Sequence, residues 1–366
     1  MKIGINLLAL KIGKVGGLQT YIDNLLKGFS EDIGDKNEFI LYVAKDNEKY
    51  YKKYGDKINF KIKTISINSN SKFLRILYDG FFMERLFFKH KLDLMFSPTY
   101  SKTFFKKNFL WVTVIHDFQP LYFPENFSFF KRIWLQFGWK NALKTSNVIL
   151  ISEFVKKDLK KKLNYKDDKN IKMIYNPIEK IQEVDEKKFP ILEKKYKIEK
   201  NNYYYTVSSL APHKNLETLL KMIVLKKEKK LVISGVGNKE VLKERINQMG
   251  IEDRIILTGY ISDEERNLLY KNCEIFLFSS EFEGFGMPII EALYLDKRVI
   301  VSDIEVLREI TCNKVEYVKK FKDPESWMKQ IDEGQKENEN NFINKYDLKE
   351  ITKQYLNYFE EVSKGS

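Results

Sequence analysis

Two glutamates eight residues apart, Glu283 and Glu291, frame the string EFEGFGMPIIE at 281–291, directly after the apolar run 275–279. Carboxylates accept charge-assisted hydrogen bonds, so this pair suits the hydroxyls of a sugar or a ribose. Gly284 and Gly286 let backbone approach a ligand without a Cβ in the way, and Pro288 suits the first turn of a helix. A helix opening there aims N–H groups at an anion. Taken alone, two glutamates at a strand–loop–helix junction read first as solvated side chains. A second candidate is Lys214 in TVSSLAPHKNL at 206–216, because a lysine at a strand mouth can neutralise a leaving diphosphate. A third is Gly13-Lys14-Val15-Gly16-Gly17, whose spacing fits neither the Walker lysine loop nor the dinucleotide fingerprint. The fourth is Ile115-His116-Asp117 after the apolar run 110–115; a lone histidine at a strand end is more often structural than catalytic.

These residues sit at the ends of elements that the pattern predicts. Short apolar runs at 3–10, 39–44, 110–115 and 147–151, then 203–208, 230–234, 254–258, 274–279 and 298–302, read as buried strands. Helical periodicity fills 18–29, 75–90, 153–163, 215–225, 238–248, 263–272 and 286–295. Continuous apolar strands alternating with helices predict parallel sheets covered on both faces, in two successive doubly wound α/β units. The polar stretch after Asn176-Pro177 marks the break. The expected division is an N-terminal domain over 1–180, a C-terminal domain over 181–345, and a helix over 346–366 that packs back on the N-terminal domain. In such sheets ligands collect at the carboxyl ends of strands, where all four candidates lie.

The string at 281–291 and its surroundings resemble the E-x(7)-E signature of retaining GT-B glycosyltransferases of the group 1, family 4 class. Leu257-Thr258-Gly259-Tyr260-Ile261, Asp263-Glu264-Glu265, Leu269-Tyr270, Phe278-Ser279-Ser280, Pro288, Ala292 and Glu309 fall where that family has them. The resemblance implies a GT-B fold, two Rossmann-like domains facing a central cleft. It implies that Glu291 holds ribose hydroxyls and Glu283 the donor sugar. The amides of Phe285, Gly286 and Met287 are then expected against sugar and phosphate, and Ile261 near the base. Lys214 falls in the family's Pro-Arg-Lys-Asn element, with His213 where arginine is common. Ser209 stands where many members have a second phosphate-binding arginine, which implies either a weaker phosphate grip or one that relies on Ser209 and backbone amides. Gly16 and Gly17 are implied to bring backbone near donor and acceptor.

The string VIHDFQPLYFPENF resembles the His-Asp-x-x-Pro segment of mannosyl- and rhamnosyl-type members. By that resemblance His116 touches the donor sugar near the reacting carbon, and Asp117 orients it or faces the acceptor. The implied activity is transfer of a sugar, with retention, from a nucleotide diphosphate to a glycan or lipid-linked acceptor in bacterial-type surface polysaccharide assembly. No Asp-x-Asp motif follows a strand, so neither metal nor cofactor is expected; the nucleotide sugar is substrate. A nucleotide-sugar epimerase or a non-catalytic GT-B partner subunit are rival readings, and intact Glu283, Glu291 and Lys214 argue against the partner subunit.

Composition bounds the rest. The 366 residues suit two domains, and two cysteines, Cys273 and Cys312, provide no metal-ligand spacing and point to a reducing compartment. The segment MKIGINLLALKIG reads as a first strand rather than a secretory leader, so a cytoplasmic protein is expected. The net charge of +13 is uneven: residues 1–180 hold 33 Lys+Arg against 18 Asp+Glu, and residues 181–366 hold 31 against 33. Coding bias toward lysine accounts for such a surplus in the plainest reading. A nucleic-acid binder would also need it, but no recognised nucleic-acid motif accompanies it. The stretches 73–89, 104–109 and 127–134 mix Phe and Trp with Lys and Arg, which suits an anionic membrane interface. Lys106, Lys107, Lys131 and Arg132 are the candidate contacts, placing the protein peripherally on the inner face of the cell membrane.

Overall fold

Strands that are apolar along their whole length have no face to offer to water, and here they lie inside two parallel sheets. The structure, a computed structural model, describes residues 1–13, 16–31, 37–99, 109–181, 184–237, 239–334 and 340–365. The chain forms two compact units, Met1–Pro177 with Tyr346–Ser366, and Ile178–Lys345.

In the first unit the strands are β1 (Lys2–Asn6), β2 (Glu38–Ala44), β3 (Phe60–Ile65), β4 (Leu94–Ser97), β5 (Trp111–Ile115), β6 (Asn147–Leu150) and β7 (Ile171–Met173). They pair in parallel in the order β3-β2-β1-β4-β5-β6-β7, with Ile3 opposite Phe39 and Val112 opposite Asn147. β1 stops at Asn6 instead of running to residue 10. The Leu10 N–H turns back to the Leu7 carbonyl at 3.2 Å, and the Asn47 amide donates to the carbonyls of Leu7 and Leu10 at 3.0 Å each. The periodic stretch 75–90 is not one helix. It runs as Lys72–Leu77, a π-helical turn Tyr78–Phe82, and Met83–His90. Right-handed crossovers place this stretch and the helix Phe129–Thr145 on one face of the sheet and the helix Gly16–Glu31 on the other.

The last helix, Leu348–Lys364, belongs to this first unit. It buries Leu348, Ile351, Tyr355, Tyr358 and Phe359, spaced three and four apart, and packs on Gly16–Glu31. The approach is close at Gly28, where an added Cβ would stand 1.9 Å from Thr352 Oγ1. The Tyr21 and Tyr355 hydroxyls meet at 2.8 Å, and burial pushes both phenols up from their ordinary value.

In the second unit β8 (Tyr203–Val207), β9 (Lys230–Ser234), β10 (Ile255–Gly259), β11 (Ile275–Phe278), β12 (Arg298–Ser302) and β13 (Glu316–Val318) pair in parallel in the order β10-β9-β8-β11-β12-β13. Leu219, Leu220, Ile223, Leu231, Ile233, Leu277 and Trp327 are buried together on one face. Strand order reverses between β8 and β11 here, and between β1 and β4 in the first unit. At such a switch point the loops diverge from the carboxyl ends and leave a crevice.

Candidate functional site

The two loops that flank the β8/β11 switch point carry the strongest sequence signals. The loop after β8 holds Ser209 and Lys214, and the loop after β11 holds Glu283. They are tied to each other. The Glu281 N–H donates to the His213 carbonyl at 2.7 Å, and the Ser279 hydroxyl donates to the Lys214 carbonyl at 2.9 Å. Lys214 Nζ then donates to Glu283 Oε1 at 2.6 Å, with both side chains mostly shielded from solvent. The ammonium also stands 5.9 Å from the centre of the Phe278 ring. Burial, with Lys214 beside it, pushes the His213 imidazole below its ordinary pKa and so disfavours a second positive charge there. The Ser209 hydroxyl accepts from the Ala211 N–H at 3.4 Å.

The helix Met287–Tyr294 opens immediately after Glu283-Gly284-Phe285-Gly286. Gly286 makes the turn in the left-handed region at φ 110°, where a side chain would be strained and where an added Cβ would stand 3.2 Å from Leu307. Pro288 fills the first turn of this helix, whose interior a proline would break. One turn on, Glu291 is only 7% exposed. The Tyr270 hydroxyl donates to its Oε2 at 3.0 Å, and Arg266 Nε lies 3.6 Å from the same oxygen. Ile261 is half-buried in the loop after β10, beside the exposed Tyr260.

In the first unit, Gly16 and Gly17 are exposed at the start of the helix Gly16–Glu31; Lys14 and Val15 lie outside the described residues. Among the described residues an added Cβ at Gly16 would meet nothing within 4 Å, so their packing does not demand glycine there. His116 follows β5 and reaches across to the end of β4. Its Nε2 is 2.7 Å from the Pro98 carbonyl, which assigns the proton to Nε2 and leaves Nδ1 as an acceptor. The Tyr21 ring packs edge-on at 4.8 Å. Burial drives the imidazole down to about 4, against the raising effect of the Pro98 bond, so the ring is neutral at pH 7. Asp117 Oδ1 accepts from the Gln119 N–H at 2.9 Å, an Asx turn that starts the next segment.

Of the proposed membrane residues, Lys106 and Lys107 lie outside the described residues. Lys131 is exposed with its ammonium 4.6 Å from the Phe127 ring centre, and Arg132 is half-buried. Phe129 and Phe130 beside them are 66% and 83% exposed. Among the described residues no helix is long and apolar enough to cross a membrane, and no group of three or more His, Cys, Asp or Glu is placed to hold a metal.

The two sheets, their parallel order and their switch points define a GT-B architecture of two Rossmann-like domains, and the comparisons agree. The Glycosyltransferase Family 4 model matches residues 15–180, and the Glycosyl transferases group 1 model matches residues 188–347. The chain belongs to the group 1, family 4 glycosyltransferases. It is 26% identical over 364 residues to the O-antigen chain mannosyltransferase RfbU of Salmonella typhimurium, covering 96% of this chain and 98% of that one. Sucrose-phosphate synthase from Thermosynechococcus elongatus has the same fold, with a TM-score of 0.77, 14% identity and 100% of both chains covered. Anabaena HepE in complex with UDP-glucose superposes with a TM-score of 0.71 and 17% identity, over 99% of this chain and 100% of that one.

Two site residues escaped sequence reasoning. Arg266 stands 25 positions before Glu291 on the helix Asp263–Asn272, and Tyr21 packs against His116 from the helix Gly16–Glu31. The four-residue spacing of Arg266 and Tyr270 put them on one face, but only the sheet order aims that face at Glu291.

Proposed function

We propose that the protein moves a hexosyl group, with retention, from a nucleoside diphosphate sugar to a glycan or lipid-linked acceptor in bacterial-type surface polysaccharide assembly. The observation that carries this reading is the Lys214–Glu283 pair at the switch point of the second unit, with the buried Glu291 on the helix that follows the Glu283 loop. The O-antigen role of RfbU supports the class of acceptor.

In this reading Lys214 neutralises the diphosphate as it leaves, which matters most where charge develops in the transition state. A lysine has three donors, so it can keep Glu283 and take a phosphate oxygen at once. Glu283 accepts from the donor sugar and Glu291 from the ribose hydroxyls. The amides of Phe285, Gly286 and Met287 face sugar and phosphate, Ser209 adds a hydroxyl, and Ile261 lies by the base. Gly16 and Gly17 bring backbone to donor and acceptor. His116, neutral with Nδ1 open as an acceptor, touches the sugar near the reacting carbon, and Asp117 faces the acceptor. The acceptor proton passes to a donor phosphate oxygen, and the enzyme's contribution is position and charge. Lys214 supplies cationic charge of the kind that a divalent ion supplies elsewhere, so the reaction is proposed to be metal-independent.

The exposed aromatics of the first unit favour a peripheral site of action on the inner face of the cell membrane. Phe130, Ile133 and Phe137 form one exposed stripe at helical spacing, flanked by Lys131 and Arg132. Turnover of a panel of nucleoside diphosphate sugars, with the anomeric configuration of the product read by NMR, tests the proposal. A product of retained configuration supports it, and an inverted one contradicts it.

A further inference from the structure

Glu291 is held by more than a solvent-facing carboxylate on a short helix requires. Its neighbours on that helix, Ile289, Ile290, Ala292 and Leu293, are all buried, and so is Glu291 itself. A buried carboxylate is costly unless it is paired and hydrogen-bonded. Both requirements are met at one oxygen. Tyr270 donates its hydroxyl to Oε2 at 3.0 Å, and Arg266 Nε stands 3.6 Å from the same atom. Neither residue bonds Oε1, which has no hydrogen bond among the described residues.

The two supporting side chains are themselves fixed. Arg266 Nη1 is 2.8 Å from Asp263 Oδ1, one turn earlier on the helix Asp263–Asn272. Among the described residues its Nε makes no hydrogen bond and faces Glu291 alone, so the guanidinium is anchored at one end and aimed at Glu291 with the other. The Tyr270 ring meets the Tyr205 ring edge to face at 4.9 Å. Tyr205 donates to the Ser234 hydroxyl at 2.9 Å, and Thr258 donates to that hydroxyl at 2.9 Å. A hydrogen-bonded cluster on β8, β9 and β10 therefore fixes the Tyr205 ring, which packs on the Tyr270 ring whose hydroxyl holds the carboxylate oxygen. Burial holds both phenols far above their ordinary pKa, so they stay protonated donors, and Glu291 is the main cause of the rise at Arg266.

We propose that Arg266 and Tyr270 are positioning residues that lock Oε2 of Glu291 and thereby present Oε1 to a ribose hydroxyl of the nucleotide. The inference rests on the reading of Glu291 as the ribose-binding carboxylate. A carboxylate with one oxygen fixed has one remaining direction for acceptance, which turns a flexible side chain into a selective one. The consequence is discrimination between ribose and 2′-deoxyribose nucleotides, set by Arg266 and Tyr270 without contact to the ligand.

The test is calorimetric titration of the full chain with GDP and 2′-deoxy-GDP, and with UDP and 2′-deoxy-UDP. For the nucleotide that binds more tightly, the wild type is expected to favour the ribose form by about tenfold or more, the scale of one lost charge-assisted bond. Glu291→Gln should reduce that ratio toward one. Arg266→Leu and Tyr270→Phe should each reduce it at least threefold, while Arg266→Lys retains most of it. A merely structural role would weaken both forms alike and leave the ratio intact. Full discrimination in Arg266→Leu and Tyr270→Phe, with its loss in Glu291→Gln, overturns the inference and spares the ribose reading. Equal binding of both forms by the wild type, or no binding of either nucleotide, overturns the ribose reading and the inference with it. Thermal melting accompanies each variant. If Arg266→Leu does not fold, the near-isosteric Tyr270→Phe carries the same comparison.

Discussion

Lys214 and Glu283 stand 69 residues apart in sequence and 2.6 Å apart in space, and their contact ties the loop after β8 to the loop after β11. Each is the other's counter-charge at a point where an anionic nucleotide is proposed to bind. Lys214→Ala removes a donor to the diphosphate and leaves the Glu283 carboxylate facing the phosphates. Glu291→Ala removes the acceptor proposed for the ribose. Each change is expected to weaken nucleoside diphosphate binding by ~1–3 kcal/mol, the range for lost charge-assisted bonds. Calorimetry reads this directly, and unchanged affinity in both variants places the nucleotide elsewhere.

His116 gives a prediction in two parts. Its proposed contact is near the reacting carbon, so His116→Ala should lower kcat more than it raises the donor KM. Turnover that survives the change makes the residue structural. The second part concerns pH. Folding lowers the imidazole from 6.5 to about 4, so between those values the unfolded chain binds more protons than the folded one. Stability from this residue is therefore complete above about pH 6.5 and declines as the pH falls toward 4. The wild type should lose more of its Tm on acidification across that window than His116→Gln, which has no proton to take up. Parallel melting curves for the two proteins would contradict the assignment.

How far the sequence led is clear from individual elements. β11 and the helix Met287–Tyr294 were legible because a wholly buried strand is apolar throughout and its end is marked by Gly284, Gly286 and Pro288. β3 was not. As the edge strand it exposes Lys61 and Lys63, and FKIKTI carries no continuous apolar run. β4, β7 and β13 are three or four residues long, too short for any period to show. The π-turn at Tyr78–Phe82 breaks a stretch whose helical spacing looked continuous. Lys214 was found by its place after a strand, but its pairing with Glu283 depends on β8 and β11 being neighbours, which strand spacing alone does not reveal.

Activity is expected to persist in excess EDTA, because Lys214 is assigned the charge on the leaving diphosphate. Turnover lost in chelator and restored by magnesium or manganese would instead require carboxylate ligation of a divalent ion.

Vesicle sedimentation tests the exposed aromatic and basic residues of the first unit. Each basic residue near an anionic surface contributes ~1 kcal/mol, so reversing Lys106, Lys107, Lys131 and Arg132 together should abolish binding at physiological salt. Phe129→Ser with Phe130→Ser should weaken it as well, by removing the side chains that would enter the interface. Neutral vesicles should bind poorly, and raised salt should release the protein. Sedimentation indifferent to lipid charge and salt, or none at all, would leave the basic surplus as coding bias.

The most direct measurement is release of nucleoside diphosphate from a panel of sugar donors, compared between the wild type and the double variant Lys214→Ala/Glu291→Ala. The account predicts that the wild type turns over one donor in preference to the rest. It also predicts that the double variant, still folded by its melting curve, loses at least ~100-fold in kcat/KM, about 2.7 kcal/mol of transition-state stabilisation. A folded double variant that releases nucleotide at the wild-type rate would contradict it.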